Sequence, residues 1–337
     1  MPKNKDLNTA KKNRKDDFYT TRQDIEAELC NYAEHFKGKT VYCNCDDPEY
    51  SEFWRFFVRN FKAYGLKKLM ATHYEPNDKN YAYMLELTED TNGDGRIDWQ
   101  DEPTVTQIPC NGDFRSAACI ELLKQADIVV TNPPFSLFRE YMAQLIEYDK
   151  KFIIIGHLNA LKYKEIFPYI KNDKVWLGIS IHSGDRKFYV PDDYPLNAAG
   201  CGIDEDGRRF IRVKGVRWYT NVDTPQRHTP IDLRGNYYKG NEEKYPKYDN
   251  LDAIDVGSVS DIPSDYYGWM GVPINFMDRY CPDQFSILGM GTGDTAKEIG
   301  VKKNYRGRTD LSITVNGKTS CPYTRIVIKR KENPDEN

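Results

Sequence analysis

The ten residues Ala126-Asp127-Ile128-Val129-Val130-Thr131-Asn132-Pro133-Pro134-Phe135 read as a short buried strand, Asp127 to Thr131, that stops on a rigid turn. Neither proline has a backbone N–H, so ladder pairing cannot run through them. Proline also holds Asn132 out of the helical region. One amide side chain and one aromatic ring are thereby set at the carboxyl end of a strand. That edge is where open α/β sheets bind ligands.

These residue types suit one chemistry. An exocyclic amino group on a base is a poor nucleophile, because its lone pair is delocalised into the ring. The Asn132 side-chain carbonyl and the Pro133 backbone carbonyl can each accept one of its N–H bonds. That draws the nitrogen towards tetrahedral geometry and localises the lone pair. Pro134 stiffens the turn, and Phe135 is placed to stack on the base. The stretch resembles the Asp/Asn-Pro-Pro-Phe/Tyr signature of amino-group methyltransferases that use S-adenosyl-L-methionine. The plain alternative is a Pro-rich turn after a core strand. The apolar run before the turn and the amphipathic segment 136–148 after it favour the signature.

The chain has 337 residues, room for one large domain or two ordinary ones. Its 39% hydrophobic and 29% charged content is that of a globular protein, with no apolar run of membrane-spanning length and no signal-peptide pattern. Eight scattered cysteines form no C-x-x-C pair, so reduced thiols in a cytoplasm are expected. The net charge of −3 means that any nucleic-acid surface must be local.

The expected organisation is a basic arm over 1–17, a catalytic domain over 18–180, and a β-rich target-recognition region over 181–337. The arm holds six Lys or Arg against three acids, with Lys11, Lys12, Arg14 and Lys15 as candidate DNA contacts. A solvated terminus explains it equally well. Ile25, Leu29, Tyr32 and Phe36 share a helical face, and Thr21 is a candidate cap. A strand over 41–45, a helix with Phe53, Phe56, Phe57 and Phe61 on one face, and a strand over 67–72 make a strand–helix–strand unit. Residues 76–109 interrupt the alternation and read as an inserted hairpin. Residues 152–156 form a further buried strand.

Together these pieces resemble the EcoRI-type adenine-specific DNA methyltransferase family. The match is carried by Ala10-Lys11-Lys12, Asp17-Phe18-Tyr19-Thr20-Thr21, Val41-Tyr42-Cys43-Asn44-Cys45-Asp46-Asp47-Pro48, Gly65-Leu66-Lys67-Lys68-Leu69, Gly112-Asp113-Phe114-Arg115-Ser116 and Thr131-Asn132-Pro133-Pro134-Phe135. A weaker match continues through Arg217-Trp218-Tyr219-Thr220-Asn221 to Tyr323-Thr324-Arg325-Ile326. The resemblance implies a Rossmann-like α/β sheet with a β-rich C-terminal extension. It also implies S-adenosyl-L-methionine as cofactor, and methyl transfer to adenine N6 in duplex DNA within a restriction-modification system. A cognate restriction endonuclease would then act on the same site. By the same resemblance Phe18, Tyr19 and Thr20 border the methionine end of the cofactor. Cys43, Asn44, Asp46 and Asp47 stand where methyltransferases carry an Asp-x-Phe-x-Gly-x-Gly turn. Here the glycines are missing, and such a turn cannot bring its backbone as close. Glu75 is placed for ribose hydroxyls, and Asp113 with Phe114 for the cofactor's adenine. A solvated loop acid is the alternative for Glu75.

A duplex adenine must be flipped out to reach such a site, at about a few kcal/mol. Trp218 and Tyr219 are candidates for its opposite face, with core packing as the alternative. From Val301 to Lys331 nine Lys or Arg stand against one acid, a net of +8. Lys302, Lys303, Arg306, Arg308 and Arg325 are candidate phosphate contacts. Arg325-Ile326-Val327-Ile328-Lys329 reads as a strand with one charged face. Leu288-Gly289-Met290-Gly291-Thr292-Gly293-Asp294 is a rival cofactor turn, which would require a permuted domain. Residues 90–101 resemble a calcium loop but lack its closing glutamate, and a hairpin tip is preferred. No His/Cys cluster has zinc spacing. Alternative readings are methylation of cytosine N4 or of RNA, and a non-catalytic DNA-binding protein.

Overall fold

The computed structural model describes residues 18–45, 47–75, 82–95, 97, 100–238 and 240–331. The candidates Lys11, Lys12, Arg14, Lys15 and Asp46 lie outside them.

The described chain enters through β1 (Tyr19–Thr20) and α1 (Arg22–Leu29). The Thr21 hydroxyl caps α1, accepting from Asp24 N at 3.3 Å. Then come β2 (Thr40–Cys43), α2 (Glu52–Asn60) and β3 (Lys68–Thr72). Ser51 caps α2 by accepting from Phe53 N and Trp54 N. The insertion is a hairpin of β4 (Tyr83–Leu87) and β5 (Thr104–Gln107), paired antiparallel with Tyr83 opposite Gln107. At its tip Asp90 accepts from Gly93 N and Gly95 N, and Asp101 from Thr91 N, so these carboxylates cap the loop's own backbone. Next are α3 (Ala117–Gln125), β6 (Ile128–Thr131), α4 (Phe138–Glu147) and β7 (Lys151–His157). Further strands follow: β8 (Trp176–Leu177), β9 (Asp185–Tyr189), β10 (Gly202–Ile203) and β11 (Arg209–Lys214). A fifth, β12 (Val216–Thr220), completes this part.

One eight-stranded mixed sheet runs in the order β5-β4-β3-β2-β6-β7-β12-β8. Its centre, β3-β2-β6-β7, is parallel, with Cys43 beside Ala71, Tyr42 beside Val129 and Val129 beside Phe152. These strands are apolar on both faces because helices and loops cover both. A smaller antiparallel sheet, β1-β9-β11-β10, pairs Tyr19 with Tyr189 and Thr20 with Phe188.

Contacts divide the chain into two units, 18–160 with 177–222 and 161–176 with 223–331. Residues 177–222 thus belong with the first unit, although the sequence reading set its boundary at 180. The reason is long-range pairing: β9 adds to β1, and β12 adds antiparallel to β7. Nothing local to residues 181–222 signals either partner.

The second unit contains α5 (Phe167–Lys171) and the sheet β13-β14-β18-β15. Its strands are β13 (Ile254–Asp255), β14 (Trp269–Pro273), β15 (Phe285–Met290) and β18 (Arg325–Arg330). A hairpin of β16 (Ile313–Val315) and β17 (Lys318–Ser320) and a helix α6 (Gly293–Glu298) complete it. Strand β18 lies between β14 and β15, and Ile326, Val327 and Ile328 are all buried. The expected single charged face is therefore absent from this strand: a central strand covered on both sides does not alternate.

Candidate active site

The carboxyl ends of three neighbouring strands assemble the site in the first unit. Strand β6 starts where Asp127 exchanges bonds with Thr40, N to O at 2.9 Å and Thr40 N to Asp127 Oδ2 at 2.8 Å. It ends on Asn132-Pro133-Pro134-Phe135. Leu137 N donates to Pro134 O at 2.9 Å and closes the turn into α4. Asn132 is buried, and its Nδ2 donates to the backbone carbonyl of Phe18. One N–H of the amide is thus committed to Phe18, and an amide oxygen can act only as an acceptor.

Phe135 is half-buried, and its ring meets Phe18 edge-on at 5.8 Å and Phe188 at 6.3 Å. Phe18 also contacts Phe188 and Tyr194, each at 6.0 Å. Phe188 and Tyr194 were missed by sequence reasoning. They lie in a β-prone stretch without a motif, and only the pairing of β1 with β9 brings them here. Tyr19 packs on the exposed ring of Tyr50 at 5.8 Å.

At the end of β2, Cys43 and Asn44 are buried, and Cys45 N donates to Thr131 Oγ1 at 3.1 Å. This ties the end of β2 to the end of β6. Tyr141 of α4 donates its hydroxyl to Asn44 Oδ1. Among the described residues Asn44 Nδ2 and Thr20 Oγ1, both buried, have no hydrogen-bond partner. Asp47 accepts from Glu49 N at 3.0 Å and stands 3.0 Å from His73 Nδ1, just past β3. Burial pushes the Asp47 carboxyl above its ordinary value, and Glu49 N and His73 pull the other way.

Gly112 lies against the end of β3. Its φ is +82°, and a Cβ there would fall 2.1 Å from His73 O. Only glycine fits. Next to it Glu75 N donates to Asn111 O at 2.9 Å. The 111–114 turn is thereby fixed beside Glu75. Asp113 holds Arg115 through Nε at 2.9 Å and Nη2 at 2.6 Å. That hydrogen bonding keeps its carboxyl below the ordinary carboxylate value. Phe114 is buried, edge-on to Tyr141 at 5.0 Å, with its carbonyl accepting from Gln144 Nε2. The structure therefore gathers Phe18, Tyr19, Thr20, Cys43, Asn44, Asp47, Glu75, Asp113, Phe114 and Asn132 to Phe135 on one edge of one unit.

Three candidates belong elsewhere. Trp218 is 1% and Tyr219 0% exposed. They sit on β12, where Trp218 meets Phe53 at 5.9 Å and Tyr219 meets Phe138 at 5.1 Å. The Tyr219 hydroxyl donates to His157 O at 3.0 Å. Both are core residues, and neither can reach a base. Arg325 is held by Asp255, Nε at 2.8 Å and Nη2 at 3.3 Å, with its side chain only 11% exposed. Tyr248 donates to the same carboxylate. This is an internal ion pair of the second unit. Lys302, Lys303, Arg306 and Arg308 are all exposed in an irregular loop.

The rival glycine turn also lies in the second unit, between β15 and α6. A Cβ at Gly289 would be 2.7 Å from Ile299, and one at Gly291 would be 2.5 Å from Leu311. Those two glycines serve close packing of an antiparallel sheet. Among the described residues no cluster of His, Cys, Asp or Glu could hold a metal, and no helix is long and apolar enough to cross a membrane.

The sequence as a whole resembles known proteins. A family described as adenine-specific methyltransferase EcoRI matches residues 6–331. The chain is 45% identical over 336 residues to type II methyltransferase M.EcoRI of Escherichia coli, covering 97% of each chain. It is 38% identical over 334 residues to type II methyltransferase M.MpnI of Mycoplasma pneumoniae, covering 97% of this chain and 98% of that one. It is 37% identical over 333 residues to type II methyltransferase M.MgeORF184P of Mycoplasma genitalium, covering 97% of this chain and 99% of that one. The strand end that carries Asn132 and its neighbours thus stands within a match that spans nearly the whole sequence, and the chain belongs to the EcoRI adenine-specific methyltransferase family.

Proposed function

We propose that this enzyme, an adenine-specific DNA methyltransferase by its family, takes its methyl group from S-adenosyl-L-methionine. The acceptor would be N6 of an adenine flipped out of duplex DNA. The fold would be a Rossmann-like catalytic sheet with a target-recognition extension, and the setting a restriction-modification system with a cognate endonuclease. The single observation that carries the chemistry is Asn132 at the carboxyl end of β6, its amide oriented by one N–H donated to Phe18 O.

The polar residues at the strand ends suit the cofactor. Asp47, Glu75 and Asp113 offer carboxylate acceptors for an ammonium, ribose hydroxyls and an exocyclic amine. Asn44 Nδ2 and Thr20 Oγ1, without a partner among the described residues, leave polar valences for a group bound at the same edge. Its sulfonium would supply an electrophilic methyl. Asn132 Oδ1 and the Pro133 carbonyl accept the two N–H bonds of the target amine and localise its lone pair. Phe135, backed by Phe18 and Phe188, holds the base. Alignment of nitrogen and methyl then lowers the barrier.

The late basic loop supports the DNA reading, since phosphate contacts provide most non-specific affinity. Incubation with labelled S-adenosyl-L-methionine and mixed duplex DNA, followed by nucleoside analysis, tests the reading. Label in N6-methyladenine is expected. Label in N4-methylcytosine, in RNA only, or nowhere would overturn it.

A further inference from the structure

We propose that residues 302–308 of the second unit form a preorganised reading loop for duplex DNA. In this loop Tyr305 contacts the bases and Asn304 is the positioning residue. The inference rests on the DNA-methyltransferase reading above and adds to it a specificity element.

The outside of the loop is basic and aromatic. Lys302, Lys303, Arg306 and Arg308 are exposed, with no acid from 302 to 309. Tyr305 is 55% exposed, and the Arg306 guanidinium lies 5.0 Å over its ring. The inside is an ordered hydrogen-bond frame. Asn304 is 9% exposed. Its Oδ1 accepts from Arg306 N at 2.8 Å and Arg308 N at 3.3 Å. Its Nδ2 donates to Asp310 O at 3.1 Å and Cys321 Sγ at 3.3 Å. The backbone closes on itself, Asn304 N to Arg308 O and Gly307 N to Asn304 O, each 2.8 Å. A second buried amide, Asn250, donates to Lys302 O at 2.8 Å and Asp310 O at 2.9 Å, and accepts from Ser312 N at 3.0 Å.

A solubilising patch needs charges but no fixed backbone beneath them. Phosphate contact is similarly tolerant, because it carries no sequence information. Reading bases requires side chains held in place, and ordering them beforehand removes that entropy from binding. Two buried amides under seven residues provide such a frame. The Asn304–Cys321 contact also brings the 321–323 segment to the loop. There Tyr323 is 61% exposed with Lys162 Nζ 5.5 Å over its ring, a second aromatic–cation pair in the same unit.

The test compares a duplex that the parent protein methylates with one that it does not, by fluorescence anisotropy across a salt series. Asn304→Ala keeps all four cations. It should lose about tenfold or more on the methylated duplex, the scale of one lost base contact. Binding to the other duplex and the salt slope should be unchanged. Tyr305→Ala should show the same selective loss, and Tyr305→Phe should not. Thermal melts confirm folding; should Asn304→Ala fail to fold, the exposed Tyr305 variants decide. Unchanged discrimination in Tyr305→Ala, or an equal loss on both duplexes, would overturn the loop assignment while leaving the methyltransferase reading intact. A parent protein that methylates no duplex would overturn both.

Discussion

The side-chain amide of Asn132 donates to the backbone carbonyl of Phe18, 114 positions earlier in the chain. The bond orients the amide, so the end of β6 and the start of β1 build one acceptor. The same two segments meet again where Phe135 packs edge-on against Phe18. In the proposed reaction the catalytic geometry depends on both.

Asn132→Ala is therefore expected to lower single-turnover methyl transfer by about a hundredfold, the scale of one preorganised hydrogen-bonding group. Cofactor and DNA affinities should change far less, because the lost interaction strengthens only in the transition state. Asn132→Asp keeps the acceptor but sets a carboxylate against Phe18 O, so its rate should fall between parent and Ala and its Tm should drop. Phe135→Ala should weaken capture of the base, whereas Phe135→Tyr should be tolerated. Near-normal transfer by a folded Asn132→Ala protein would sink the catalytic assignment.

Gly112→Ala and Asp113→Ala should separate scaffold from contact. The first forces a Cβ onto His73 O and a left-handed conformation costing about 1–2 kcal/mol, so Tm and S-adenosyl-L-methionine affinity should fall together. The second should weaken the cofactor while leaving Tm and DNA binding close to parent values. Calorimetry beside thermal melts reads both. Unchanged cofactor affinity in folded Asp113→Ala removes that carboxylate from the site.

Asp47 gives a pH-dependent prediction. Burial raises its carboxyl in the folded protein, so the folded state holds the proton more tightly than the unfolded chain. The stability from this proton is present in full below the unfolded value and is lost as pH rises through the raised folded value. At neutral pH the half-buried carboxylate is a net cost. Asp47→Asn should melt higher than the parent at pH 7, with the difference shrinking in the acid range where Asp47 protonates. Its cofactor affinity should fall. A Tm difference that ignores pH would show that the charge is not the cause.

Arg325 and the four loop cations should behave oppositely. Arg325→Ala leaves the Asp255 carboxylate buried without its counter-charge, a loss of about 3–5 kcal/mol, with the salt dependence of DNA binding unaltered. Neutralising Lys302, Lys303, Arg306 and Arg308 together should leave Tm nearly unchanged. The log–log salt slope should then become shallower by up to about 3.6. A slope identical to the parent's would mean that the loop faces solvent in the complex.

Much of the first unit was legible because its signals are local. The Pro-Pro pair that ends β6 and the Thr21 cap act within a few residues of themselves. So does the aromatic face of α2. The hydrophobic period of 126–131 and the turn chemistry after it placed Asn132 at a strand end without any long-range knowledge.

What the tertiary structure alone decided is whatever depends on partners far along the chain. Trp218 and Tyr219 are ordinary candidates for a base until β12 is seen beside β7, where both faces are covered. Arg325 looks like a free cation until Asp255, 70 positions away, closes on it. Phe188 and Tyr194 carry no motif, and they join the site because β9 extends β1. Local propensity and spacing can set strand ends, caps and turns. Which strands become neighbours is fixed by burial of whole faces, and that burial determines which side chains remain available to a ligand.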